Sequence, residues 1–205
     1  MNKQKKNTII SVFGKKGSGK TYFVKKKLKR HFRRKLILDT QNEYVDSVET
    51  FLRNKNNYVL NDFDFEYFIN YVWQSPDFTA IVRINNFSSV MEWVSVADKI
   101  GYLSLFVEEI HLFDSKNRKD SLYNIFTTGR HRFINVIGTA QRFSTVSREM
   151  TSQSDIIISF RQTEQRDIKQ AGDFIDNPER LKNLKIGEFL VLDGENKLNK
   201  ILKVM

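Results

Sequence analysis

Short apolar runs recur along the chain, separated by stretches whose apolar positions fall three or four residues apart. The runs TIISVF (8–13), KLILDT (35–40), TAIVRI (79–84), LSLFVEEI (103–110), INVIGTAQ (134–141), DIIISFR (155–161) and EFLVLDG (188–194) predict strands, with a last one in KLNKILKV (197–204). Several are continuously apolar or β-branched, the pattern of strands covered on both faces, as in a parallel sheet. Helices are predicted near 19–33, 64–73, 89–101, 119–128, 145–153 and 164–174, with a short one after Pro178. In the first, Val24, Leu28 and Phe32 recur at i, i+4 and i+8 and are expected against the sheet, with Lys25, Lys26, Lys29, Arg30 and Arg33 outside. The alternation predicts an α/β fold, one doubly wound domain over residues 1–205 with helices on both faces of a mostly parallel sheet.

Composition narrows the setting. The 205 residues are 40% hydrophobic and 28% charged, as in a soluble globular domain, and the apolar run behind the basic N-terminus is too short for a signal-peptide core. No window approaches the uninterrupted apolar span of a transmembrane helix. Cysteine is absent, which excludes disulfides and thiolate metal sites and fits a reducing compartment. Lys and Arg number 34 against 24 Asp and Glu, a formal net charge of +10 that points to a polyanionic partner.

The segment GKKGSGKT, Gly14 to Thr21, fits the pattern G-x-x-x-x-G-K-[ST] in full and lies between a predicted strand and a predicted helix. Gly14, Gly17 and Gly19 let the backbone curl so that N–H groups, including that of Ser18, face phosphate oxygens. Lys20 is expected on the β- and γ-phosphates, and the Thr21 hydroxyl on Mg²⁺. Such a loop marks nucleotide binding but serves kinases, switch GTPases and mechanical ATPases alike.

The strand LSLFVEEI ends in Glu108 and Glu109, and the C-terminal ends of strands face the ligand crevice of an open α/β sheet. Adjacent strand residues point to opposite sides, so the two cannot both be metal ligands in the same way; Glu108 is assigned to the metal and Glu109 to the attacking water. His111 is read as a packing or hydrogen-bonding residue and not as a catalytic one. INVIGTAQ ends at Gln141, a polar group placed to sense or position the γ-phosphate.

The order GKKGSGKT, Glu108-Glu109, GR before a strand ending in TAQR, and SQSDIIISFR…RDIK resembles the HerA/FtsK superfamily of ring-forming DNA-translocating ATPases; DTQNEY (39–44) resembles its acidic turn. The resemblance spans roughly residues 8–170 and implies a RecA-like (ASCE) P-loop NTPase that uses ATP and Mg²⁺. It implies Lys20 and Thr21 as Walker A residues, Glu109 as catalytic carboxylate, Gln141 as sensor and Arg130 as an arginine finger acting in trans, with Arg132 as fallback. Glu108 departs from the aspartate usual at the first acidic position. The small size is most similar to the genome-packaging ATPases of tailless, membrane-containing viruses. That implies a homo-oligomeric ring, hexamer or pentamer, acting on double-stranded DNA at a capsid or viral membrane protein, in the host cytoplasm or at a virion vertex. A small-molecule or nucleotide kinase and a phage assembly or secretion protein are the alternatives. A loop at 113–120, with Lys116, Arg118 and Lys119, and the basic stretch 25–35 are candidate DNA contacts or solvated faces.

Overall fold

A computed structural model describes residues 7–113, 121–193 and 200–204. The described residues form β1 (Ile9–Phe13), α1 (Lys20–Lys26), β2 (Arg34–Asp39), α2 (Val48–Leu52), β3 (Asn57–Leu60), α3 (Phe65–Tyr67), β4 (Phe78–Arg83) and α4 (Phe87–Ile100). Then come β5 (Ser104–Val107), α5 (Ser121–Thr128), β6 (Asn135–Ala140), α6 (Arg148–Ser152), β7 (Ile156–Phe160), α7 (Gln165–Ala171), β8 (Glu188–Asp193) and β9 (Lys200–Lys203). A π-helical turn, Phe68–Val72, continues α3.

The strands make one sheet in the order β3-β4-β2-β5-β6-β1-β7-β8-β9. Every pairing from β3 to β7 is parallel, and β8 and β9 add antiparallel. Side chains alternate between two cores. Phe13, Leu36, Leu38, Leu105, Val107 and Val136 face one, with Trp93 of α4, Ile125 of α5 and Ile168 of α7. Val12, Ile37, Phe106 and Ile137 face the other, with Val24 and Leu28. The continuous apolar runs thus mean what they were expected to mean. The RecA-like P-loop fold is present, with β6 between the P-loop strand β1 and the acidic strand β5.

Several boundaries differ from the sequence expectation. The first helix does not run to 33: α1 stops at Lys26, a 3₁₀ turn covers Leu28–His31, and Phe32 is extended. Like charges at i and i+4 (Lys25 with Lys29, Lys26 with Arg30) disfavour a longer helix. Nor are all its basic residues outside. Lys25 bonds the Glu43 carbonyl and the Asp46 carboxylate, and Lys29 is partly buried, its pKa lowered by that burial and by Lys35. The strand at 103–110 ends at Val107, because Glu109 leaves the extended conformation. The short helices near Asn61–Trp73 and Phe143–Gln153 are irregular where regular ones were expected, and α2 and β3 were not foreseen. The 113–120 loop lies, past Phe113, outside the described residues. Among the described residues no helix is long and apolar enough to cross a membrane.

Gly138 of β6 shows how tightly sheet and site are coupled. A Cβ there would stand 2.8 Å from Met150 Cε and 2.9 Å from Ile110 Cδ1, and Ile110 follows Glu109. Gly138→Val should therefore destabilise by about 1–3 kcal/mol, as overpacking does. A denaturant midpoint unchanged from wild type would show that this contact gives way freely.

Candidate nucleotide site

The C-terminal ends of β1, β2, β5 and β6 deliver Gly14, Asp39, Glu108 and Gln141 to one edge of the sheet, the side on which such folds take ligands. The P-loop is tied down from three sides. Gly14 N donates to the Ala140 carbonyl at 3.2 Å, Lys15 N to that of Arg161 at 3.2 Å, and Gly187 N to that of Ser18 at 2.9 Å. Gly14 has no room for a side chain, since a Cβ would lie 2.6 Å from Ser18 Oγ and 2.7 Å from Phe160 Cβ. Gly19 stands at φ 100°, a region side chains avoid, just before α1. Gly187 as a buttress was missed from sequence; only its turn-forming residue type signalled it.

The loop opens on a cleft of about 560 Å³, lined by Gly17, Ser18, Gly19, Lys20 and Thr21 together with Glu108, Glu109 and Gln141. Sequence reasoning had singled out all eight. Lys20 Nζ donates to Glu109 Oε1 at 3.0 Å, and Gln141 Nε2 donates to the same oxygen at 3.2 Å. Glu109 is at φ 47°, left-handed and uncommon for a residue with a side chain. Its N–H donates to Thr139 Oγ1 at 3.1 Å, which secures the turn out of β5.

His111, read from sequence as a packing or hydrogen-bonding residue, also lines this cleft. Its Nδ1 lies 3.2 Å from Glu109 Oε2, near enough for an ion pair when protonated but not aligned as a hydrogen bond. Burial pushes the Glu109 carboxyl up, but His111, Lys20 and Gln141 outweigh it and hold the group down at about 2. In this arrangement Glu109 is a fixed anion and a poor proton acceptor.

Glu108 is the opposite case. It is 3% exposed, and burial, followed by the Asp39 carboxylate beside it, raises its pKa to about 8. Asp39, at the end of β2, accepts from the N–H groups of Glu43 (3.1 Å) and Tyr44 (2.9 Å), so the DTQNEY segment is a carboxylate-centred turn packed against Glu108. Glu108 Oε2 and Ser18 Oγ are buried with no hydrogen-bond partner. An orphaned carboxylate oxygen in the same cleft as the Thr21 hydroxyl fits an oxygen-ligated Mg²⁺ that also takes phosphate ligands.

Arg130 and Arg132 lie away from the cleft, in a 3₁₀ turn (Gly129–Arg132) before β6, at the sheet edge opposite Gln141. Arg132 is engaged within the chain: Nη1 donates to the Lys99 carbonyl at 3.2 Å and Nε is 3.6 Å from Asp98. Arg130 is exposed and makes no ion pair among the described residues.

The Glu108 geometry carries a pH consequence. A folded pKa of about 8 against the usual 4.5 means that the folded chain holds this proton the tighter. The resulting stability is complete below the unfolded pKa and is lost as pH rises through about 8. Metal-free wild type should lose denaturant stability between about pH 4.5 and pH 8 relative to Glu108→Gln, which has no proton to lose. Parallel stability curves would contradict the protonated, buried Glu108.

No family model matches the chain, and no curated protein sequence does. Solved structures do. The genome packaging NTPase B204 from Sulfolobus turreted icosahedral virus 2, in complex with AMPPCP, is similar at TM-score 0.75 with 22% identity, over 97% of this chain and 98% of that one. The pCW3 conjugation coupling protein TcpA is similar at TM-score 0.57 with 13% identity, over 96% of this chain and 61% of that one. EssC (ATPases 2 and 3) from Geobacillus thermodenitrificans is similar at TM-score 0.57 with 14% identity, over 96% of this chain and 39% of that one. At these identities the likeness is one of fold: the chain has the RecA-like P-loop NTPase fold that a viral genome packaging NTPase and two larger proteins share.

Proposed function

We propose that the chain is an ATPase that drives double-stranded DNA through a homo-oligomeric ring and packages it into a viral capsid. The observation that carries the ATPase reading is the convergence of Lys20 and Gln141 on one oxygen of Glu109 in the P-loop cleft. It supplies a phosphate-binding cation, a carboxylate for water and a polar sensor at one point. The packaging reading adds the net charge of +10 and the likeness of fold to a packaging NTPase over nearly the whole of both chains. The reading takes residues 1–205 as one domain.

In this account the Lys20–Glu109 pair is a resting arrangement. Phosphate oxygens compete for Lys20 and draw it off the carboxylate. Glu109 loses one of the groups that hold its pKa down, and its proton affinity rises. Gln141 and the Thr139 contact keep the freed carboxylate in place, so it can accept the proton of an attacking water. Thr21 and Glu108 would hold Mg²⁺, which when bound neutralises charge on the phosphates.

Glu109→Gln should bind ATP at least as tightly as wild type, because an amide competes less for Lys20. It should lose hydrolysis by about 10²–10⁴-fold, the contribution of a general base. Near-normal turnover by this variant would contradict the assignment; a Glu108→Gln protein that binds ATP without hydrolysing it would exchange the two roles.

Arg130 in this reading completes the neighbour's site. Arg130→Ala should bind ATP yet lose roughly 10³-fold or more in turnover. Mixed with Lys20→Ala subunits it should regain activity, because some interfaces pair an intact Lys20 with an intact Arg130. Assembled mixed rings without recovery, or a dilute monomer as active as the oligomer, would contradict a finger in trans. DNA binding should be independent of sequence and fall with salt, by about 0.9 in log K per log salt for each phosphate neutralised.

A further inference from the structure

A second and larger cavity, about 770 Å³, opens at the opposite end of the sheet, where β1, β2, β5 and β6 begin. Its charged lining is Arg33 and Arg34, with His31 beside them and no carboxylate among the lining residues. Arg34 is fixed in the wall: its Nη1 and Nη2 donate to the Ser75 and Trp73 carbonyls at 2.9 and 2.7 Å, and it lies 5.3 Å from the Trp73 ring centroid. Arg33 and His31 are exposed, and Arg33 makes no ion pair among the described residues.

Tyr102 and Phe133 line the same cavity. They come from two different crossovers, the turn after α4 and the turn before β6, yet their rings stack at 5.0 Å and 20°. Both remain exposed, at 60% and 44%. Both also sit in left-handed backbone, at φ 52° and 56°, an arrangement that costs on the order of 1–3 kcal/mol at each bulky residue. Tyr102 N donates to the Arg132 carbonyl at 2.8 Å, which locks the two turns together. The core gains little from rings left in water, and strain kept at an exposed site points to a use there.

Two stacked rings beside uncompensated arginine match the chemistry of a base and its phosphate: the base extends the aromatic stack, and the phosphate meets the guanidinium. A second copy of this chain, itself at +10, is the poorer fit to a lining with basic side chains and no acid. We propose that this cavity binds an unpaired base with its phosphate, as presented by single-stranded nucleic acid. The site is separate from the P-loop cleft, and the inference requires the Tyr102 and Phe133 rings to stay clear of the neighbour that Arg130 is proposed to reach.

The test uses a fluorescently labelled oligodeoxythymidylate and the whole chain, read by anisotropy, with ATP binding as control. Tyr102→Asn and Phe133→Asn should each weaken the oligomer roughly tenfold, the effect of one lost stacking partner, and leave ATP affinity unchanged. Asparagine tolerates left-handed backbone, so these variants remove the ring without adding strain. Arg33→Gln should flatten the salt dependence by about 0.7 in log K per log salt, one phosphate contact on a single strand. A blunt duplex should compete less well than the single strand. Thymidine monophosphate displacing the oligomer at equal nucleotide concentration would assign the site to free nucleotide; failure to displace would assign it to the polymer. Unchanged oligomer affinity in both aromatic variants would overturn the proposal, and so would variants that alter only the sedimentation coefficient, which would give this face to a neighbouring copy.

Discussion

Lys20 and Glu109 are both withdrawn from water, with side chains 6% and 12% exposed, and they pair at 3.0 Å. Removing one partner of such a pair typically costs 3–5 kcal/mol, because it strands a buried charge. The pair has an alternative that removal does not offer: another anion can take the place of the carboxylate. A cleft built this way binds polyphosphate by exchange, and the exchange is what changes the chemistry of Glu109. The surrounding structure serves the same contact. Register between β1 and β6 sets the P-loop beside Gln141, β6 with β5 sets Gln141 beside Glu109, and the Gly187 turn before β8 holds the loop from above.

The two neighbouring glutamates differ because their surroundings differ. Glu109 faces a cation, an amide donor and an imidazole and is held ionised; Glu108, one residue earlier, faces Asp39 in a buried pocket and is held protonated at neutral pH. Environments that drive adjacent carboxyls apart are a recurrent way of dividing acid–base and metal work. Here the division rests on a single backbone feature, the left-handed turn at Glu109, which sends its side chain toward the P-loop instead of along the strand.

Much of the frame was legible in the sequence because its signals are local. Short apolar runs, several of them continuous, located eight of the nine described strands, and the glycine-lysine pattern of the P-loop carries its own geometry. What escaped depends on tertiary contact. β3 is only four residues, NYVL, with too little apolar alternation to stand out. The helix after the P-loop has an apolar stripe that continues to Phe32, but charge repulsion and the return to β2 end it at Lys26. A strand pattern implies that Glu108 and Glu109 point to opposite sides; the turn that really separates them has no sequence signature. His111 reaches Glu109 only because a 3₁₀ turn at Ile110–Leu112 brings it back, and Asp39 reads as one acid in a polar turn until β2 is placed beside β5.

Exchange of partners at Lys20 is the central step, and a structure of the protein with a non-hydrolysable ATP analogue measures it directly. The prediction is that Lys20 Nζ leaves its 3.0 Å contact with Glu109 Oε1 for the phosphate oxygens, while Gln141 Nε2 stays within hydrogen-bonding reach of Glu109. Analogue seated on the P-loop with Lys20 still bonded to Glu109 would contradict it.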